Sequence, residues 1–541
     1  MPPTPDTFDY IVVGGGSAGS VIANRLSADG QRSVCLIEAG GNTDHMLVRA
    51  PMGAVAMMPA HLGIKINNWA FQTVPQPGLN GRRGYQPRGK GLGGSSIMNA
   101  MIYIRGNRRD YDGWADMGCD GWGYDDLLPL FRRAENFTGG ADDMHGGDGP
   151  LHVTNLASPH AITADFIKAG EATQLPRNDD FSGPDQYGIG PYHVTQFHDH
   201  RRGERCSAAA AYLNPARSRP NLDIRTKTTA LRIIMEDGRA TGLAIQNRAG
   251  KSVINCRREV ILSAGAFQSP QLLMLSGIGE GDHLRAMDIP VAIHSPDVGQ
   301  NLQDHIDVTL SYGVNRTDVI GIGLAGTARL LRGIRQWRRD GTGPVSTNFA
   351  EAGAFFSVGD SGRDWPDTQL HFVVARVEDH ARRLRWGYGV SCHACVLRPH
   401  SRGEVRLTSP LATDAPLIDP RFLEDERDLT QLKRAVRKTH DIMTTAPMRD
   451  HITKSYTMPD NASDTELEQV IRDHADTVYH PVGTCRMGAD AQSVVDPQLQ
   501  VRGVDGLRVA DASIMPRIIS GNTNAPAIMI GEKLSDLVLH G

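Results

Sequence analysis

Cysteine is sparse in this 541-residue chain: seven, at 35, 119, 206, 256, 392, 395 and 485, an odd number scattered from end to end. That excludes a disulfide framework, and reduced thiols are expected. Cys392 and Cys395, in CHAC with His393 between them, have no second CxxC or CxxH pair to complete four metal ligands. GYGVSCHACVLRP reads as a long strand instead of a redox turn, so no metal site is expected. Also missing is any run of 18 or more apolar residues, the length a bilayer-spanning helix needs. MPPTPDTFDY has neither the basic start nor the apolar stretch of a secretory signal, so the expected location is cytoplasmic. Association with the periphery of the inner membrane would leave no such mark and stays open. Charge of one sign is not in excess either: 57 Lys and Arg face 61 Asp and Glu, a net charge of −4. Without a basic run, nucleic acid is not an expected partner.

What remains is the composition of an ordinary globular protein, 40% hydrophobic and 22% charged, long enough for two or three domains. Its strongest local signal is FDYIVVGGGSAGSVIANRLSADGQRSVCLIEAG. This predicts a strand through Val13, the glycines Gly14, Gly16 and Gly19, a helix burying Val21, Ile22 and Leu26, and a second strand ending at Glu38. Gly14 permits the tight turn, Gly16 lets backbone approach a pyrophosphate, and Gly19 lets helix and strand pack closely. The helix N-terminus offers free N–H groups and a positive dipole to phosphate. Glu38 stands where a carboxylate would accept hydrogen bonds from ribose hydroxyls.

The glycines do not say which dinucleotide. PRGKGLGGSSIMNAMIYIRG, residues 87 to 106, is a second Gly- and Ser-rich segment whose backbone could lie along the middle of an extended cofactor. GAFQSPQLLMLSGIG follows the apolar strand EVILSAG and is expected to open a short helix at Pro270. In HPVGTCRMG, residues 480 to 488, His480 stands five positions before Cys485. It could be a metal ligand, the base of a Cys485 nucleophile, or a base for a substrate bound by the rest of the chain, and the stretch alone does not choose.

The fingerprint, GKGLGGSSIMNA, GAFQSPQLLMLSGIG, VGQNLQDH, HPVGTCRMG and DASIMPRIISGNTNAPAIMIGEKLSDLV together resemble the glucose-methanol-choline oxidoreductase family, in order from about residue 8 to 539. Within it the chain is most similar to bacterial alcohol dehydrogenases acting on aliphatic alcohols or polyethylene glycol, with sorbose and choline dehydrogenases close behind. The resemblance implies an α/β fold. A discontinuous Rossmann-like FAD domain is expected over 1–155, 222–312 and 483–541. A substrate domain over 156–221 and 313–482 would roof the flavin with an antiparallel sheet that includes TQLHFVVARV and YGVSCHACVLR. It also implies FAD contacts at Gly14, Gly16, Ser17, Ala18, Gly19, Glu38, Ala39, Gly89, Leu92, Gly94, Ser95, Asn99, Ala100, Met101, Ile102, Ala230, Ala264, Asp511, Ala512, Asn522, Thr523, Asn524 and Ala525.

Oxidising an alcohol removes the hydroxyl proton and passes the carbinol hydride to flavin N5, so a base must reach that hydroxyl. The family's catalytic histidine corresponds to His480, and its second active-site residue, Asn or His, falls on Asn524, which would orient the alkoxide or cap the last helix. Cys485 then loses its role, because the glycine turn directs the two side chains apart. The N-terminus of APAIMIGEKLSDLVL is expected near the flavin pyrimidine ring, and Asp511 near the ribityl or pyrophosphate. Relatives that tether FAD do so through a histidine where this chain has Met98, so FAD is expected to be noncovalent. Residues 137–150 are read equally as linker or lid, and Glu351 equally as a partner of a cationic substrate or of a structural ion pair. The expected electron acceptor is a quinone, dye or carrier protein; an oxygen-using oxidase is the near alternative, and a redox-neutral lyase or decarboxylase a remoter one.

Overall fold

The computed structural model describes residues 6–58, 65–322, 324–378 and 386–540. Two sheets organise the chain. In the first, Thr7–Val13 lies between Val34–Ile37 and Gly250–Leu262, all parallel, with Leu222–Arg225 beyond Val34–Ile37. Arg239–Asn247 and Thr229–Glu236 extend the far side as antiparallel strands, and Leu507–Val509 pairs in parallel with the end of Gly250–Leu262. The central runs YIVV and VCLI are buried on both faces, which is why they read as unbroken apolar stretches.

The fingerprint takes the expected form. Gly14 has φ +103, and a Cβ on Gly19 would stand 1.9 Å from the Gly14 carbonyl oxygen, so the first turn of Ser17–Leu26 fits against the strand end only with glycine there. That helix packs along Asn524–His540, closely enough that a Cβ on Gly531 would lie 2.8 Å from the Ala18 carbonyl oxygen. Buried Glu532 accepts hydrogen bonds from Arg25, Arg133 and Tyr212, tying the end of the chain to its beginning.

The helix after EVILSAG spans Gly265–Leu275, starting five residues before the expected Pro270 (270 − 265). An interior proline leaves the carbonyl four residues earlier without its N–H donor. Here that carbonyl, on Ala266, accepts from the Thr484 hydroxyl at 2.6 Å. Asp511 caps the helix start, accepting from Gly265 N at 2.8 Å and Ser269 Oγ at 2.5 Å.

The second sheet is antiparallel, in the order Ile452–Ser455, Ile306–Val314, Gly387–Val396, Thr368–Val373, Ala350–Phe356, Gly188–Pro191. Both expected strand segments are present in it. Period-two alternation divides their side chains. Leu370, Phe372, Val390, Cys392 and Ala394 share a core with Leu432, Ala435 and Val436 of the helix Glu426–Met443. His371, Val373 and His393 line a cavity on the other side. Cys392 and Cys395, an odd number of positions apart, point to opposite faces. The boundary expected at 312 falls inside Ile306–Val314, whose partners all belong to this second sheet, because the alternating strand IDVTLSYGV continues past it.

Candidate active site

A cavity of about 700 Å³ opens at the C-terminal ends of the parallel strands and runs beneath the second sheet. The strand ends Val13 and Ile37 reach it, as does Ser263 just after Gly250–Leu262, the usual ligand position in a parallel sheet. So do the starts of two helices, through Gly16, Ser17 and Ala18 and through Asn522, Thr523 and Asn524. No acidic residue occupies the first turn of either helix, so nothing competes with a bound anion for their dipoles.

Most residues expected at a cofactor line this cavity: Gly14, Gly16, Ser17, Ala18, Glu38, Ala39, Gly89, Gly94, Ser95, Asn99, Ala100, Met101, Ile102, Ala230, Ala264, Asp511, Ala512, Asn522, Thr523 and Asn524. Gly19, Leu92 and Ala525 do not; each is buried behind the wall, Gly19 against Gly14 and the others in the core. Glu38 holds the fingerprint turn, accepting from Gly15 N at 3.0 Å and Gly40 N at 2.7 Å. Burial raises its pKa against the pull of those N–H groups. Met98 lines the wall beside Asn99.

His480 is reached by a chain of hydrogen bonds that fixes its proton. His305 Nε2 lies 2.9 Å from the Leu397 carbonyl oxygen, which can only accept, so that nitrogen carries hydrogen. Burial lowers the His305 pKa to about 4, leaving the ring neutral and its Nδ1 a bare acceptor. His480 Nδ1, 3.0 Å away, must then be the donor. The Nε2 of neutral His480 is therefore an unprotonated lone pair facing the cavity. Asn522 agrees: its Oδ1 accepts from Gln369 Nε2 at 2.9 Å, which turns its Nδ2 toward His480 Nε2 at 3.2 Å. Burial first, then His305, His371 and Arg88, hold the His480 pKa well below the ordinary imidazole value. At neutral pH it is a free base.

The backbone around it is clamped as well. Tyr479 has φ +74, a costly conformation for a bulky residue. Arg88 Nη2 donates to the Tyr479 carbonyl at 2.7 Å, and the Tyr479 N–H donates to Thr477 Oγ1 at 2.6 Å. Asp304 accepts from His480 N at 2.8 Å and from Thr477 Oγ1 at 2.6 Å. Burial raises the Asp304 pKa to about 6, and those donors with nearby Arg88 oppose the rise.

Asn524, expected beside the base, begins the C-terminal helix and lines the cavity, where its Oδ1 accepts from Ser17 Oγ at 2.8 Å; the asparagine bonded to His480 is Asn522. Asp304, His305, Arg88, His371 and Gln369 were not singled out from sequence. Asp304 and His305 sit in VGQNLQDH, where a carboxylate next to a histidine is the only signal. Cys485 is buried away from the cavity, and burial pushes its thiol pKa well up. Glu351 is satisfied by His160, Thr163 and Thr347, so it forms the structural pair. The 137–150 loop lies off the cavity, pinned where His145 bridges Glu135 and Asp180.

Two family models described as GMC oxidoreductase match residues 8–307 and 399–531. The alcohol dehydrogenase [acceptor] of Pseudomonas putida is 42% identical, covering 98% of this chain and 96% of its own. The oxygen-dependent choline dehydrogenase of Cronobacter sakazakii is 41% identical over 98% and 94%. Among solved structures, pyridoxine 4-oxidase from Mesorbium loti superposes with a TM-score of 0.88 at 31% identity, covering 99% of both chains. A variant of Aspergillus oryzae formate oxidase gives 0.89 at 26% identity, over 99% and 98%. With the fold, the cavity and near-complete relatives in agreement, the chain belongs to the GMC oxidoreductases, FAD-dependent enzymes acting on CH–OH donors.

Proposed function

We propose that this protein oxidises an uncharged alcohol with an apolar tail to the aldehyde or ketone, and that electrons leave to a quinone, dye or carrier protein. The observation that carries the reading is the neutral His480 with its Nε2 lone pair turned into the cavity. A substrate hydroxyl placed there loses its proton to Nε2, and the Asn522 amide, 3.2 Å from the same nitrogen, is in position to hold the alkoxide oxygen. Asn524 and Ser17 brace the start of the C-terminal helix against the fingerprint helix.

The residues present fit FAD. A Cβ on Gly16 would meet nothing closer than 3.8 Å, leaving room beside the helix N–H groups for a pyrophosphate. Gly16, Ser17 and Ala18 would hold it there, Glu38 the ribose, and the segment from Gly94 to Ile102 the remainder. When bound, FAD supplies the hydride acceptor. Met98 offers a thioether in place of a nitrogen nucleophile, so the attachment is noncovalent.

Charge decides between the alcohols. Among the described residues, the carboxylates lining the cavity are Glu38 and Asp511, both occupied by backbone N–H groups on the cofactor side. The cations lining it are Arg88 and Arg376. Arg376 is paired with Glu378 and Arg88 lies beside Asp304, so a quaternary ammonium substrate would find no unengaged carboxylate on the wall, whereas Met52, Val55, Leu330, Phe349 and Val377 suit an aliphatic tail. Anaerobic mixing with alkanols, glycol ethers, sugars and choline tests this. Alkanols should bleach the flavin fastest, and choline bleaching it faster than any alkanol would sink the substrate assignment. Reoxidation should be rapid with a quinone or phenazine dye and slow with oxygen; peroxide formed one for one with aldehyde would make the enzyme an oxidase.

A further inference from the structure

The described residues leave nine large apolar side chains exposed, among them Val55 and Leu330 of the cavity lining, Leu331 and Trp386 next in sequence to lining residues, and Met46 and Leu47 of the short helix Met46–Arg49. Val55 and Leu330 line the cavity while remaining 47% and 40% exposed, which places them at its mouth. Trp386, 76% exposed, directly precedes cavity-lining Gly387. Met46 Sδ lies 3.2 Å from Arg338 Nη2. A seventh, Tyr456, stacks under Arg376, the guanidinium 3.6 Å from its ring centre, and Arg376 also reaches the cavity.

The helix Leu324–Asp340 gives this rim its charge. Its inner side packs Ile334 and Trp337 against Ala50, Met52 and Val345. Its outer side exposes Leu331, Arg332, Arg335 and Arg338. Among the described residues none of these three arginines pairs with a carboxylate, in a chain whose net charge is −4. A leucine flanked by guanidinium groups that meet no carboxylate among the described residues suits a lipid interface: the apolar tip enters the acyl boundary while the arginine stems lie along it and carry their charge to phosphate. Trp and Tyr at the same rim are the side chains that favour headgroup depth.

We propose that this face docks on an anionic lipid bilayer, with the cavity mouth turned to the headgroups. The FAD-loaded protein should float with vesicles of phosphatidylcholine containing about one-third phosphatidylglycerol, and far less with phosphatidylcholine alone. Neutralising Arg332→Gln, Arg335→Gln and Arg338→Gln together should weaken flotation about 100-fold, at roughly fivefold per arginine. Leu331→Ser, which leaves charge unchanged, should weaken it about 10-fold through lost apolar insertion. Both variants should keep their flavin content and their dye-linked turnover of a short, water-soluble alcohol. Failure of the wild type to float, or equal flotation of the triple variant, overturns the proposal. So does a dimer in size-exclusion chromatography that Leu331→Ser converts to monomer without any vesicle binding, since the face would then be a seam between copies.

Discussion

At His480 a single tautomer separates a base from a bystander. The Leu397 carbonyl sets His305, and His305 sets His480, so the lone pair reaches the cavity through two hydrogen bonds. His480→Ala should slow flavin reduction by about two to four orders of magnitude, the range of a lost general base, with FAD content unchanged. Stopped-flow reduction at saturating alcohol measures it, and a near-normal rate would refute the assignment. Because the His480 pKa lies well below 6.5, the same rate should stay level from pH 8 down through pH 6 and fall only in more acid solution. An acid limb centred near pH 6.5 would show that the base is an ordinary, solvated imidazole. His480 itself was legible because HPVGTCRMG is a local string. His305 and Asn522 were not read as its partners, because they lie 175 and 42 positions away and only folding brings them together.

Among the elements, the helix Gly265–Leu275 shows how a local rule misleads. Proline reads as a helix start, yet Pro270 sits inside because Thr484 takes the carbonyl it orphans. Thr484→Val keeps the shape and removes the hydroxyl, leaving a buried carbonyl unsatisfied at a cost of about 1–3 kcal/mol. Chemical denaturation should show that loss in Thr484→Val and largely spare Thr484→Ser. An equal loss in both would mean that packing, and not the hydroxyl, matters. The fingerprint and the alternating strands were legible because their signals are short-range: glycines at fixed offsets, and side chains changing face at every residue. The loop 137–150 carried no such signal, since its polar composition suits a lid and a linker alike; His145 between two carboxylates settles it as a pinned connection.

Over the whole molecule, three buried histidines make stability depend on acid. The folded pKa values of His305 and His371 are lowered by burial to about 4 and about 3, and that of His480 falls well below 6.5. Unfolded, these rings bind protons below about pH 6.5, so the unfolded state holds more protons than the folded one in that window. The contribution of these three rings is complete above pH 6.5 and should fall as pH drops through 6.5 toward 3 to 4. His145, raised to about 9 between Glu135 and Asp180, works in the opposite sense, its contribution present below pH 6.5 and lost as pH rises toward 9. Melting temperatures from pH 6.5 to pH 4 test the sign; a rise on acidification across that window would contradict it. Added FAD should raise the melting temperature in proportion to the logarithm of its concentration, and acid precipitation should release all the flavin to the supernatant. A pellet that stays yellow would reveal a covalent bond. At this scale the order of motifs along the chain was legible, but the edge between the two sheets was not, because Ile306–Val314 is one unbroken alternating strand whose sheet is chosen by partners more than 70 residues away.

The packing of Asn524–His540 along Ser17–Leu26 gives this protein a timetable. Arg25 and Glu532, which close that contact, are separated by 507 positions. At about 5–20 residues per second, a ribosome needs roughly half a minute to two minutes to travel between them. Throughout that interval the nascent fingerprint strand and helix wait with one flank bare, because the helix that covers them has not been made. The dinucleotide site is thus among the last parts of the molecule to be completed, although its sequence is translated first. Ribosome-bound chains stalled before residue 524 should capture no FAD, and release of the full chain should start its uptake. FAD retained by the stalled chains would mean that the first half of the site stands without its final helix.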